Sequence, residues 1–137
     1  MGGNDSGYRE IEHTADWMLE VWAPTLPGLL EQAARGMYSL SGVDIKEGNR
    51  SSTSFELRAR DPETLLVRFL AELLYYVERE NIAFDKYELE HSGEVLKARL
   101  EGAEIISMKK EIKAVTYHNL EVQQHERGLE ASIVFDV

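Results

Sequence analysis

Apolar and polar residues alternate over two short runs near the start of the chain, Tyr8–Glu12 and Trp17–Trp22. In the second run Trp17, Leu19 and Val21 fall on one side and Met18, Glu20 and Trp22 on the other. A period of two is that of a strand with one covered face, so the pattern predicts two strands linked through Glu12-His13-Thr14-Ala15-Asp16. The period then becomes helical. Leu29, Leu30, Ala33, Ala34, Met37 and Tyr38 recur three and four apart, behind Thr25 as a cap and Pro27 in the first turn, and the pattern stops near Ser41-Gly42. The polar run Lys46–Ser54 predicts a loop leading into a strand, in which Phe55, Leu57 and Ala59 face one way and Glu56 and Arg58 the other.

Asp61-Pro62-Glu63-Thr64 is a strong helix start, with a capping carboxylate, proline at the first helical position and an acid near the positive end of the helix dipole. Leu65, Leu66, Phe69, Leu70, Leu73, Leu74 and Val77 then form a broad apolar stripe, which marks the main core helix. Phe84–Glu90 and Glu94–Glu101 alternate around His91-Ser92-Gly93, predicting a tight hairpin with His91 at its tip and Leu96, Ala98 and Leu100 buried. Residues 102–111 follow no clean period and fit a short helix or an irregular crossover. Ile112–Val122 alternates again and predicts one long strand, with Lys113 and Tyr117 on one side and His118 opposite them. After a turn over Gln123–Gly128, Leu129, Ala131, Ile133 and Phe135 predict a last strand ending at Asp136-Val137. Strands first and last with two helices between them predict a single α+β domain, built on one mostly antiparallel sheet with the two main helices packed on it.

Composition narrows what such a domain can do. The 137 residues, 43% hydrophobic and 9% aromatic, suit one globular domain at 8–137, preceded by a polar, flexible tail at 1–7 that lacks the form of a signal peptide. No apolar run approaches the length of a membrane span, so cytoplasmic residence is the expectation. The absence of cysteine excludes disulfides and thiolate metal sites, leaving oxygen and histidine as ligands. A net charge of −10 opposes the phosphate neutralisation on which nucleic-acid affinity depends, so no direct nucleic-acid binding is expected. Acidic surfaces instead suit basic protein partners and divalent cations.

Asp is uncommon inside strands, so Asp16 at a strand entrance is either a turn or cap residue or part of a hard-cation site. The chain end offers two further carboxylates, the Asp136 side chain and the terminus on Val137. If the last strand pairs beside the N-terminal one, these three groups converge and repel, and a divalent cation relieves the repulsion. The set is all oxygen, which favours calcium over zinc, with magnesium or manganese as alternatives. His13, beside these acids, either orients them or bonds the bend.

Tyr8-Arg9-Glu10-Ile11-Glu12-His13-Thr14-Ala15-Asp16, Ala34-Arg35-Gly36-Met37, Leu65-Leu66-Val67 with Leu73-Leu74-Tyr75, Ile112-Lys113-Ala114-Val115-Thr116-Tyr117-His118 and Phe135-Asp136-Val137 together resemble the archease family over nearly the whole chain. The sequence departs from the family at Ala23-Pro24, where a glycine is common. The resemblance implies a protein cofactor, not itself a ligase, of the GTP-dependent tRNA-splicing RNA ligase. Such a cofactor promotes guanylylation of the ligase histidine, restores multiple turnover and broadens nucleotide use. It also implies a calcium-type site at Asp16, Asp136 and Val137 and a functional lysine at Lys113, with Tyr117 as a neighbour that could support it. The rival expectations are a stand-alone metal-dependent hydrolase and a chaperone-like acidic binding module. A Gly-rich phosphate loop and a nucleophile elbow are both missing, which disfavours the enzyme.

Overall fold

The alternation at the start of the chain becomes one edge of an antiparallel sheet. The structure, a computed structural model, describes residues 5–12 and 17–137. Among these the elements run β1 (Gly7–Glu12), β2 (Trp17–Ala23), α1 (Leu26–Ser41), β3 (Asp44–Ile45), β4 (Ser51–Arg58), α2 (Pro62–Glu80), β5 (Ile82–Ser92), β6 (Val95–Ser107), β7 (Ala114–Val115), β8 (Gln123–His125) and β9 (Gly128–Asp136). The class is α+β, as the pattern predicts, and every described strand pair is antiparallel. The strands form two sheets where one was expected. The first is ordered β1-β2-β9-β7, with β8 also on β9; the second is built around β6, which pairs with β3, β4 and β5. A period of two says which face of a strand is covered but not which strand lies beside it.

Both helices begin and end where their caps dictate. The Thr25 hydroxyl accepts from the Gly28 N–H at 3.2 Å and Gly42 closes α1, while Asp61 accepts from the Thr64 N–H at 2.7 Å and Asn81 closes α2. Helix α1 packs on β2 and β1 of the first sheet and β5 of the second, and α2 packs on β5, β7 and β4. The shared core buries Leu29, Leu30, Ala33, Met37, Leu66, Phe69, Leu70 and Leu73 from the helices against Leu19, Val21, Ile133 and Phe135 from one sheet and Leu96 and Leu100 from the other. Each large apolar side chain so covered contributes about 1.5–3 kcal/mol.

Several boundaries differ from the sequence expectations, among them that β8 (Gln123–His125) occupies part of the expected turn. Strand β4 begins at Ser51, inside the expected loop, because Thr53 turns inward and its hydroxyl lies 2.9 Å from the Tyr76 hydroxyl. The hairpin turn is Gly93-Glu94, with Gly93 in the left-handed region at φ 62°. His91 is therefore no tip residue: it pairs with Leu96 inside β5 and is half-buried. Residues 102–107, read as a helix or crossover, continue β6 as strand.

The β5–β6 ladder shifts register between Phe84 and Lys86, leaving Asp85 as an extra residue. Arg50 joins the bulge to the neighbouring strand, bonding Asp85 and, at 2.8 Å, Glu101. The bulge presses backbone against Gly102, where a Cβ would lie 1.9 Å from the Ala83 carbonyl oxygen. Gly102→Ala should lower stability by about 3 kcal/mol, measured by urea denaturation; a loss well below that would show that the bulge relaxes freely. The Thr64 N–H holds the Asp61 carboxyl below its ordinary pKa. A depressed folded-state value gives stability that is present above the unfolded pKa and lost as pH falls through the folded one. Asp61→Ala should thus lower Tm at neutral pH, with the gap closing in acid, whereas Asp61→Asn keeps the cap but not its pH dependence.

Candidate functional site

The end of β9 is held on both sides. Trp17 of β2 and Val115 of β7 both pair with Phe135, Ala114 pairs with Asp136, and the Lys113 N–H donates to the Asp136 carbonyl at 2.8 Å. Because Ala131, Ile133 and Phe135 point into the core, the alternation turns the Asp136 side chain to solvent. Val137 is half-buried and packs on the core edge. Asp16, which directly precedes β2 in sequence, and His13 lie outside the described residues. Among the described residues no hydrogen bond or ion pair engages the Asp136 side chain, and no three His, Asp or Glu side chains are grouped to hold a metal ion.

The long strand expected over 112–122 is broken. Strand β7 ends at Val115, and Thr116 explains why. Its hydroxyl donates to the Val134 carbonyl at 3.1 Å and accepts from the His118 N–H at 3.2 Å, which turns the backbone out of the ladder. The Leu120 N–H returns to the Tyr117 carbonyl at 3.0 Å, Asn119 adopts φ 52°, and the Glu63 carboxylate on α2 accepts from the Val122 N–H at 2.7 Å. The chain re-enters the sheet only at β8. Tyr117 therefore does not share a strand face with Lys113; it stands at the turn with 55% of its surface exposed. His118, expected on the opposite strand face, is exposed beside Asn119.

Lys113 faces another neighbourhood. With Ala114 and Val115 it lines an open cleft of about 350 Å³ against α2, whose Tyr75, Glu78 and Arg79 form the opposite wall. The Arg79 guanidinium lies 5.7 Å from the Tyr75 ring centre. Sequence reading missed this wall, although its residues sit at i, i+3 and i+4 on one helix face, with an aromatic among charges. A second missed contact steadies the entry of β2: the Lys110 ammonium lies 4.6 Å from the centre of the Trp17 ring, while the Lys109 and Lys110 N–H groups both donate to the Ser41 carbonyl.

The molecule is thus a small two-sheet α+β protein in which, of the candidate residues described, Asp136 ends β9, Val137 follows it and Lys113 directly precedes β7. None of the described helices is long and apolar enough to cross a membrane. A sequence model described as the Archease protein family matches residues 8–137. Protein archease of Methanosarcina mazei is 33% identical over 139 residues, covering 95% of each chain, and that of Archaeoglobus fulgidus is 34% identical, covering 95% of this chain and 98% of its own. The crystal structure of a Thermotoga maritima archease, described as a possible chaperone, has a TM-score of 0.71 at 23% identity over 94% of this chain and 96% of that one. The solution structure of Methanobacterium thermoautotrophicum protein 1598 has a TM-score of 0.71 at 20% identity, over 96% and 99%. This chain belongs to the archease family.

Thr116→Val removes both hydroxyl bonds while keeping the side chain's shape. It should cost about 1–2 kcal/mol in urea denaturation and speed hydrogen exchange at the His118 amide. Unchanged exchange there would mean that other contacts hold the turn.

Proposed function

We propose that this protein is an accessory activator of the GTP-dependent tRNA-splicing RNA ligase, acting in tRNA processing by promoting guanylylation of the ligase histidine and multiple turnover and by broadening nucleotide use. Membership of the archease family supports the role. The single observation that carries its mechanism is the register of β9 between β2 and β7, with Trp17 and Val115 both opposite Phe135. That register sets the outward Asp136 carboxylate at the same sheet end as the start of β2, the strand that Asp16 directly precedes in sequence.

Asp136, the terminal carboxylate of Val137 and Asp16 would hold a divalent cation, with calcium favoured. The fit rests on donor chemistry: a hard carboxylate faces solvent at Asp136, free of bonds to the described residues, and the chain contains no thiol. When bound, the cation offsets the repulsion of clustered carboxylates. The chain's own part is positional. Phe135, buried and paired on both sides, fixes the backbone that carries Asp136, and the Lys113 N–H bonded to the Asp136 carbonyl places Lys113 beside it. Lys113 meets the partner or a nucleotide phosphate there as a point charge. Activation is a population shift: the protein binds the competent ligase state more tightly than the resting one, each tenfold in the ratio requiring about 1.4 kcal/mol.

Purified ligase assayed for guanylylation and for single against multiple turnover, with and without this chain, is the deciding experiment. A faster guanylylation step and restored turnover are expected. An unchanged ligase would end the accessory reading, and hydrolysis by the chain alone would replace it with the enzyme. Asp16→Ala and Asp136→Ala should each lower calcium affinity by more than about a hundredfold, since loss of an outer-shell partner alone costs about 10–100-fold. Both should remove the stabilisation that calcium gives the parent, about 2.7 kcal/mol at a hundredfold excess over Kd. A C-terminal tag, which turns the Val137 carboxylate into an amide, should weaken calcium binding in calorimetry; unchanged affinity would take Val137 out of the site.

A further inference from the structure

The cleft between α2 and β7 holds more chemistry than contact by a single lysine requires. Tyr75 is large, aromatic and 49% exposed, on a helix whose other large side chains are mostly covered. Its ring packs edge-on to Tyr76, with centroids 5.7 Å apart, and the Arg79 guanidinium stands over it. Lys113, the residue before β7, lines the same cleft. Among the described residues neither Arg79 nor Lys113 has a carboxylate partner. Two cations without carboxylate partners, converging with a half-exposed aromatic ring on one cleft, make a combination with a recognisable ligand class.

We propose that this cleft binds a free nucleoside phosphate, with Lys113 and Arg79 on the phosphate and Tyr75 stacked on the base. Ammonium and guanidinium groups together suit phosphate oxygens, the first as a point charge and the second as a planar fork. Base stacking on an exposed aromatic tolerates any base, which fits a site that does not discriminate sharply between nucleotides. The volume of about 350 Å³ falls within the range of small-ligand sites, about 300–1,000 Å³. Glu78 shares the rim, where it can accept from a ribose hydroxyl or a base N–H. The net charge of −10 repels an RNA strand, with its many phosphates, far more than it repels one nucleotide. The inference rests on the accessory reading for its place in a reaction, since a promoter of guanylylation has use for a nucleotide, but not for the binding itself.

The test titrates the full chain with GTP, ATP, inorganic triphosphate, guanosine and a short single-stranded RNA, following backbone amide shifts at residues 75–79 and 113–115 and binding heats. GTP and ATP should both move these amides. Arg79→Met and Lys113→Met should each weaken GTP by about tenfold. Tyr75→Ala should weaken GTP by about tenfold while leaving triphosphate unchanged, and Tyr75→Phe should restore GTP binding. Thermal melts show whether each variant is folded. No GTP binding up to about 10 mM, affinity unchanged in all three variants, triphosphate bound as tightly as GTP, or RNA bound more tightly than GTP would each overturn the proposal. A chain that binds GTP here yet leaves the ligase unchanged keeps the site and loses the accessory reading; activation without GTP binding here does the reverse.

Discussion

Strand β9 is paired with β2 from Leu129 to Phe135, and this ladder joins parts of the chain separated by most of its length. Closing so long a loop costs entropy that grows only slowly with length, and the apolar face the ladder presents to α1 offsets it. Leu19, Val21 and Ala23 on one strand and Ala131, Ile133 and Phe135 on the other are all buried. The ladder also decides orientation. With Phe135 committed to the core, the following carboxylate must face water, and the edge strand β7, held by the Lys113 N–H and the Thr116 hydroxyl, must lie alongside. The candidate site and the hydrophobic core are two faces of one pairing.

Much of this was legible in residue patterns, and the exceptions have physical causes. The helix starts were readable to within a residue or two because their caps are chemical: Thr25 and Asp61 accept from amides that have no other partner, and prolines follow where a missing N–H costs nothing. The second sheet was not readable, because β4 and β6 show the same alternation whether they join the first sheet or form their own. Ser51–Ser54 looked like loop because a strand with a solvated face can be as polar as one, and the inward residue there is Thr53, satisfied by Tyr76. The break after Val115 was hidden by a coincidence of period: Thr116, His118 and Leu120 alternate as strand residues would, yet Thr116 bonds its own neighbours and Asn119 takes a left-handed turn.

The candidate site divides along the same line. Asp16, Asp136, Val137 and Lys113 were suggested by short strings matching a family, together with the general demand of clustered carboxylates for a cation. That Lys113 would face Tyr75 and Arg79 could not be read, since it depends on how α2 crosses β7. Tyr117 was misplaced because its assignment relied on an unbroken strand. Periodicity locates a covered face well, but it cannot say which two elements will share a groove.

One edge of the first sheet carries a further consequence. Among the described residues β1 is bonded only to β2, so its other side offers a row of main-chain donors and acceptors of the kind that recruits stray strands from neighbouring molecules. Arg9 and Glu10 stand exposed on that strand, and Arg9 is tied by an ion pair to Glu20 on β2. A second copy approaching edge to edge would have to desolvate these charges against the mutual repulsion of two strongly acidic molecules. The excess of carboxylates over Lys and Arg thus guards the open edge against self-association into fibrous aggregates.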